Sequence, residues 1–504
     1  MEVSFHPGFE RGLATAKGLL LPVFAAALLS GCVVGPDYQK PLLAMPASWS
    51  GQKAVKPAKP AQLSQWWQRL RDPELNALVE EAVAGNLDVA TAKAKIREAR
   101  ASYRQSVGKL LPSAEGSASA TRNRTAATSS GTATSTTYDQ YEAGFDASWE
   151  LDLFGANRRS VEAASYGLDA SEESLRSTLL TLVGDVASNY IQARGYQTRI
   201  ALARRSAASQ RQTAELTRTM ALAGTATAAD VAKAMGQANS TEAEIPTLEA
   251  SYAEAVHRLS VLTGRPPAAL TERLKRAKPI PAPRLPIPTG IPADILLTRP
   301  DVRMAERQYA QSTAKIGQAE AARYPSVSLT GDISTTSLKL GDLGKNSTIG
   351  WSFGPSLSVP LFNGGQLRAA VDVAKAQRDQ YFIAYKAAVL TALEDVENST
   401  VSLSQERIRN GRLASSAKSY GEAARLERTL YKAGETGLLD VLDAERSAYS
   451  ADDTLLQSRV SIATDYIALN KALGGGWDGV VDSTTPEIID VTTGPRFASR
   501  AVAQ

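Results

Sequence analysis

Two stretches of this chain alternate apolar and polar residues one by one. From Tyr141 the odd positions are Tyr141, Ala143, Phe145, Ala147, Trp149, Leu151 and Leu153, and the even ones are Glu142, Gly144, Asp146, Ser148, Glu150 and Asp152. Later, Ile349, Trp351, Phe353, Pro355, Leu357, Val359 and Leu361 alternate with Gly350, Ser352, Gly354, Ser356, Ser358 and Pro360. This period of two predicts strands over 141–153 and 349–361, each with one apolar and one wet face. Weaker strand patterns precede them, over 113–122 and 326–335, with loops rich in Ser, Thr and Gly between the partners.

The period then changes. Leu168, Leu175 and Leu182, flanked by Leu179, Val186, Ala193 and Ile200, recur at sevens over 157–222 without a proline. The stretch 366–431 also lacks proline and carries Val389, Val396 and Leu403. Each predicts a helix of roughly 100 Å at 1.5 Å per residue, paired as in a coiled coil. Gly224 and Gly434 stand where such helices stop. Shorter return helices are expected over 228–262, kinked at Pro246, and over 438–473. Asp72-Pro73 predicts a helix start, an acidic cap before proline at the first helical position, with a break near Gly85-Asn86.

The chain states this unit twice. Arg218-Thr219, Ala223-Gly224 and Asp230-Val231 return as Arg428-Thr429, Ala433-Gly434 and Asp440-Val441, about 210 residues later. Leu153-Phe154 returns as Leu361-Phe362, and Leu111-Pro112-Ser113 as Tyr324-Pro325-Ser326. The period is too long for a solenoid. The organisation read from this is a first copy over 66–264, a proline-rich linker over 265–292, a second copy over 293–473 and a flexible tail over 474–504.

The N-terminus is a targeting segment over 1–31. Arg11 and Lys17 precede an apolar run too short to span a bilayer, which ends in Leu29-Ser30-Gly31-Cys32. That ending resembles a bacterial lipobox, in which cleavage leaves the cysteine carrying a diacylglycerol on sulfur and a palmitoyl group on nitrogen. Cys32 is the only cysteine. Residues 32–65 then read as an extended tether.

Strands of this length can cross a bilayer when tilted. A soluble sandwich is the alternative, but four strands are too few for a chain of this size. They are also too few to close a barrel alone, and open edges are not tolerated in lipid. Several chains must pool their strands, and three would supply twelve. The fold class expected is therefore an α+β membrane protein, a trimeric twelve-stranded barrel continued by a helical coiled-coil tunnel. Tyr141, Phe145, Trp149, Leu151, Trp351, Phe353 and Leu357 would face lipid.

Composition narrows the function. A net charge of +4 gives no case for nucleic acid. Past the targeting segment His257 is the single histidine, so a histidine-based triad or zinc site has nothing to draw on. No phosphate-binding GxxxxGK[ST] loop occurs; Gly350-Trp351-Ser352-Phe353-Gly354 has GxSxG spacing but falls inside an alternating strand rather than at a strand-to-helix turn, and no enzyme, metal site or cofactor is expected.

Several motifs together resemble the TolC-like outer-membrane factors of tripartite efflux pumps, in the lipid-anchored branch called NodT-like. They are Cys32 with Val34-Gly35-Pro36-Asp37-Tyr38 and Pro41, Trp66-Trp67 with Asp72-Pro73, and Trp149-Glu150-Leu151-Asp152-Leu153-Phe154-Gly155. Arg299-Pro300-Asp301-Val302, Pro360-Leu361-Phe362-Asn363-Gly364-Gly365 and Leu439-Asp440-Val441-Leu442-Asp443-Ala444-Glu445-Arg446 complete the set. The resemblance implies a homotrimer in outer-membrane lipid, a passive exit duct served by a periplasmic adaptor and an inner-membrane transporter of the resistance-nodulation-division type. It implies a gate at the periplasmic tip, matching Leu439, Asp443 and Arg446, with Asp440 and Asp230 nearby. The last two can instead be read as helix caps. The turns at Gly224, Thr225, Gly434, Thr436 and Gly437 would meet the adaptor. Two other readings stay open: a pore-less coiled-coil scaffolding lipoprotein, and a duct for protein secretion.

Overall fold

The computed structural model describes residues 33–46, 49, 63–125, 135–283 and 299–488. Cys32, the targeting segment, much of the tether and linker residues 284–292 lie outside these. The described chain runs α1 (Pro73–Gly85), α2 (Leu87–Gly108), β1 (Ser113–Thr125), β2 (Thr136–Leu151), α3 (Ala156–Leu222), α4 (Ala228–Leu262) and a short α5 (Thr271–Leu274). It repeats as α6 (Pro300–Ala321), β3 (Ser326–Ser337), β4 (Ile349–Ser358), α7 (Gln366–Ala433) and α8 (Leu438–Ala472). No described helix is long and apolar enough to cross a membrane.

Contacts divide the chain into two units, and strands and helix shafts fall into different ones. The first holds Met1–Leu42, Glu98–Ala170 and Ala305–Tyr385, and therefore the sheet with the helix segments flanking its strands. Its four strands are antiparallel in the order β1-β2-β3-β4. The pairing keeps the predicted faces in register: Gly116 faces Phe145, Phe145 faces Ile333, and Ile333 faces Trp351. Likewise Leu151, Val327 and Leu357 form one row. The strand bounds differ from those expected. β2 begins at Thr136 rather than 141, because Thr136–Gln140 find partners in Thr121–Thr125 despite their broken alternation. β4 stops at Ser358 rather than 361, just before Pro360, which has no N–H for a ladder.

The first unit also contains a strap. Residues 34–38 lie along the start of α3 and along α6. The Val34 N–H donates to Phe154 O at 3.2 Å. Arg159, 4 % exposed in its side chain, donates to the carbonyls of Val34 and Gly35 at 3.2 Å each and to Asp37 at 2.7 Å. Gly35 has φ +89°, and a Cβ there would sit 2.4 Å from Gly317 Cα, so only glycine fits. The Tyr38 hydroxyl donates to Glu306 at 2.6 Å, its ring edge-on to Tyr166 and Tyr309. Burial and the Glu306 carboxylate push the Tyr38 phenol above its ordinary pKa. Replacing Arg159 with Met should release the strap at a cost of about 3 kcal/mol, since it removes the buried guanidinium that the Val34 and Gly35 carbonyls share, while the Asp37 carboxylate it also holds is exposed. Hydrogen exchange at the Val34 amide should quicken; unchanged exchange would show that the strap is held by other contacts.

The second unit comprises Leu43–Arg97, Ser171–Met304 and Lys386–Gln504. Asp72 caps α1 as expected, accepting from Glu74 N at 2.9 Å ahead of Pro73. The break at Asn86 has a chemical reason. Its side-chain oxygen accepts from Asp88 N and Val89 N to start α2, and its amide donates to Leu262 O at the end of α4. The long helices bury the sevenfold positions: Leu175, Leu182, Val186 and Ala193 in α3, and Val389, Val396 and Leu403 in α7. In α7 the series continues through Asn410, Ala417, Ala424 and Tyr431. Asn410 is the polar member, and it donates to Ser458 of α8 at 3.0 Å.

The tail departs from expectation. Its composition predicts flexibility from residue 474, yet its first part is packed. Trp66, 1 % exposed, donates through Nε1 to Gly475 O at 3.1 Å. Trp67 stacks on Trp477 with ring centroids 6.1 Å apart and planes within 7°. Glycines bring the backbone close, and two tryptophans supply apolar area that overrides the loop-like composition. Residues 489–504 lie outside the described set.

Candidate functional site

Two places carry the residues singled out from the sequence, and each belongs to one unit. The first is the pair of helix turns in the second unit. After α3, Gly224 adopts φ +81° and donates to Ala221 O, while Thr225 N donates to Met220 O at 2.9 Å. After α7, Gly434 adopts φ +79° and donates to Tyr431 O, while Glu435 N donates to Leu430 O at 2.9 Å. Both turns thus close by the six-to-one bond of a left-handed helix stop. The duplication is visible at the level of single hydrogen bonds.

At the starts of the return helices both aspartates take part in capping. Thr227 caps α4: its Oγ accepts from Asp230 N at 3.1 Å, and Asp230 accepts from Thr227 N in return. The Thr227 hydroxyl, which also reaches Asp230, holds that carboxyl below its usual range. In the second copy Asp440 accepts from Gly437 N at 3.3 Å. Thr436 Oγ lies 3.1 Å from both Asp440 and Glu427, with one proton to serve them. Asp230 and Asp440 are therefore engaged at the caps, one turn inside the true cap residues.

Leu439, Asp443 and Arg446 behave differently. They lie at helical spacing on the solvent side of α8, Leu439 61 % exposed, with Arg446 donating to Asp443 at 2.5 Å within the same helix. Their first-copy counterparts at the 210-residue offset are Ala229, Lys233 and Gly236, which carry no such pair.

Sequence reasoning missed the group on the buried side of the same helix. Glu445 is 5 % exposed. One of its oxygens accepts from Thr213 of α3 at 2.9 Å and from Arg428 of α7 through Nε at 2.9 Å and Nη2 at 2.8 Å. Beside it Thr217 and the Tyr431 hydroxyl are 2.9 Å apart, so α3 meets both helices of the second copy. The signal was available: Glu445 falls between Val441 and Leu455 on the apolar stripe, where a carboxylate needs a buried cation.

The second place is the sheet. Phe145, Trp351, Phe353 and Leu357 stand 65–76 % exposed on one face, far beyond what a folded chain leaves to water without reason. Tyr141, Trp149 and Leu151 share that face and are half-buried; Trp149 Nε1 donates to Leu110 O at 3.0 Å. The opposite face carries Glu115, Asp146 and Asp332 in a single row. A sheet apolar on one side and acidic on the other, with β1 and β4 each lacking a second partner strand among the described residues, is a segment of a channel wall.

Comparison with known proteins agrees. The family model of the outer membrane efflux protein matches residues 78–265 and 291–475. Nodulation protein T of Rhizobium leguminosarum bv. trifolii is 37 % identical over 463 residues, covering 91 % of this chain and 97 % of that one. The solvent efflux pump outer membrane protein SrpC of Pseudomonas putida is 33 % identical over 470 residues, covering 91 % and 98 %. The solved outer-membrane channel OprN superposes with a TM-score of 0.82 at 34 % identity, covering 88 % of this chain and 100 % of that one. The chain belongs to the outer membrane efflux protein family. Its architecture is the one expected, a share of a barrel continued by a helical tunnel reaching into the periplasm, and it acts in efflux at the outer membrane.

Proposed function

We propose that three copies of this chain form the passive exit duct of a tripartite pump, joined through a periplasmic adaptor to an inner-membrane transporter of the resistance-nodulation-division type. The observation that carries this is the open four-stranded sheet with an apolar face. In lipid each of its edges must be paired, and three copies close twelve strands. A scaffolding lipoprotein without a pore would have no use for such a face. Cargo is chosen by the transporter: relatives of similar identity are named for nodulation in one case and solvent efflux in the other.

Cys32 is the acylation site in this reading, with an N-palmitoyl and an S-diacylglycerol group. Support comes from its neighbour: Val33 packs against Gly155 at the junction of β2 and α3, so acyl chains would begin where the sheet ends. Leu439, Asp443 and Arg446 narrow the periplasmic end, and the turns at Gly224, Thr225, Gly434, Thr436 and Gly437 meet the adaptor.

A variant with Cys32 replaced by Ala, and one cysteine placed in β1 and another in β4, tests the assembly. Oxidation in the membrane should give a covalent trimer on denaturing gels. A chain that cross-links only within itself, or stays monomeric, would overturn the reading.

A further inference from the structure

Charge is sorted between the two faces of the sheet. Among the described strand residues the polar face carries Glu115, Glu142, Asp146, Glu150 and Asp332 and no lysine or arginine. The apolar face carries three charges, Arg122, Arg124 and Asp139, all in its last two rows. Those rows lie at the end of β1 and the beginning of β2, away from the helices that precede β1 and follow β2. Since the helices reach into the periplasm, this end points outward.

The height agrees with a headgroup position. From Leu151 to Tyr141 the apolar face of β2 spans ten residue-to-residue steps, about 34 Å of strand at ~3.4 Å per step. At a tilt of about 40° that rises ~25 Å, the height of the apolar band of an outer-membrane barrel. Arg122 lies one row beyond Tyr141 on that face, and Arg124 two rows. An arginine on a lipid face is costly at mid-bilayer and close to neutral near an interface, so the sequence admits the two guanidiniums only where they are tolerated.

They are also under-matched. Arg122 is 77 % exposed, with the Asp139 carboxylate 3.7 Å from its Nε, and among the described residues Arg124 has one hydrogen bond, to the Ser135 hydroxyl at 3.5 Å. The cluster keeps a net positive charge, and a guanidinium fork suits a phosphate better than any other membrane group. We propose that Arg122 and Arg124 form a docking site for the phosphate of an outer-leaflet lipid headgroup, pinning the outer rim of the barrel to its membrane.

This rests on the lipid-facing assignment of the apolar face, which can be checked separately. In vesicles of brominated lipid, the quenched tryptophan fraction should be smaller in Trp351→Phe than in wild type, the half-buried Trp149 keeping the remainder; an equal fraction in the two would sink the assignment itself. Binding is then measured on the purified full-length assembly in detergent, with lipid A as probe and its dephosphorylated form as control. The double variant Arg122→Gln/Arg124→Gln should bind lipid A about tenfold more weakly or worse. Asp139→Asn, which removes the competing carboxylate, should bind several-fold more tightly, the reverse of what a merely structural ion pair would give. Covalent trimer formation by the double variant, assayed as above, shows that it is folded. Equal binding by wild type and the double variant, or equal binding of dephosphorylated lipid A, would overturn the proposal.

Discussion

Ion conductance of the assembled channel in a planar bilayer should rise several-fold when Asp443 and Arg446 are both replaced by alanine. The two side chains pair with each other along one face of α8, Leu439 beside them, and all three are left open to solvent by their own chain. Around a threefold axis, three such carboxylates would repel one another unless each kept a cation close, and Arg446 supplies it. An exposed pair at this spacing adds only about 0–1 kcal/mol to folding, so its removal should leave the assembly intact and alter the bore alone. Replacing both members together avoids leaving an unbalanced charge on α8. Unchanged conductance would remove the pair from the gate and leave it an ordinary surface ion pair.

Replacing Trp66 with alanine should be the most damaging single change to stability. The indole is buried among Trp67, Tyr466 and the returning tail, with Tyr466 at 6.0 Å in an edge-on arrangement. Emptying a site of this size costs about 3–5 kcal/mol. The Gly475 carbonyl would lose its donor in addition, at about 1–3 kcal/mol if water cannot reach it. The thermal midpoint in detergent should fall steeply, and the Trp67–Trp477 stack should loosen with it. Should the midpoint move by no more than a surface substitution would move it, the tail is not held by this contact.

Much of the architecture was legible because the period of the side chains carries it. The strands at 141–153 and 349–361 alternate cleanly, and their cores appeared where expected. Their ends did not, because Thr136–Gln140 pair through backbone and polar side chains, which leave no hydrophobic rhythm. The helix stops at Gly224 and Gly434 were readable since few residues but glycine adopt a left-handed backbone. The capping bonds of Asp230 and Asp440 were not, since a cap and a gate ask for the same residue at the same place; the bonds to Thr227 and Gly437 show the capping part. The strap was recognised as a motif without a purpose. Its partners, Arg159, Glu306 and Gly317, lie more than a hundred residues away, and no local pattern joins them.

Asn410 has one more implication. It is a polar tooth in an otherwise apolar gear, and it meshes with Ser458. Sliding α8 along α7 by one heptad would set Asn410 against Ala451 in one direction, which offers its amide no acceptor, and against the Asp465 carboxylate in the other, which does. Piston-like travel is thereby penalised in the direction of Ala451, whereas a splaying of the helix ends about this point leaves the bond in place. Mechanical freedom in the tube wall is that of tweezers, with Asn410 and Ser458 as the rivet.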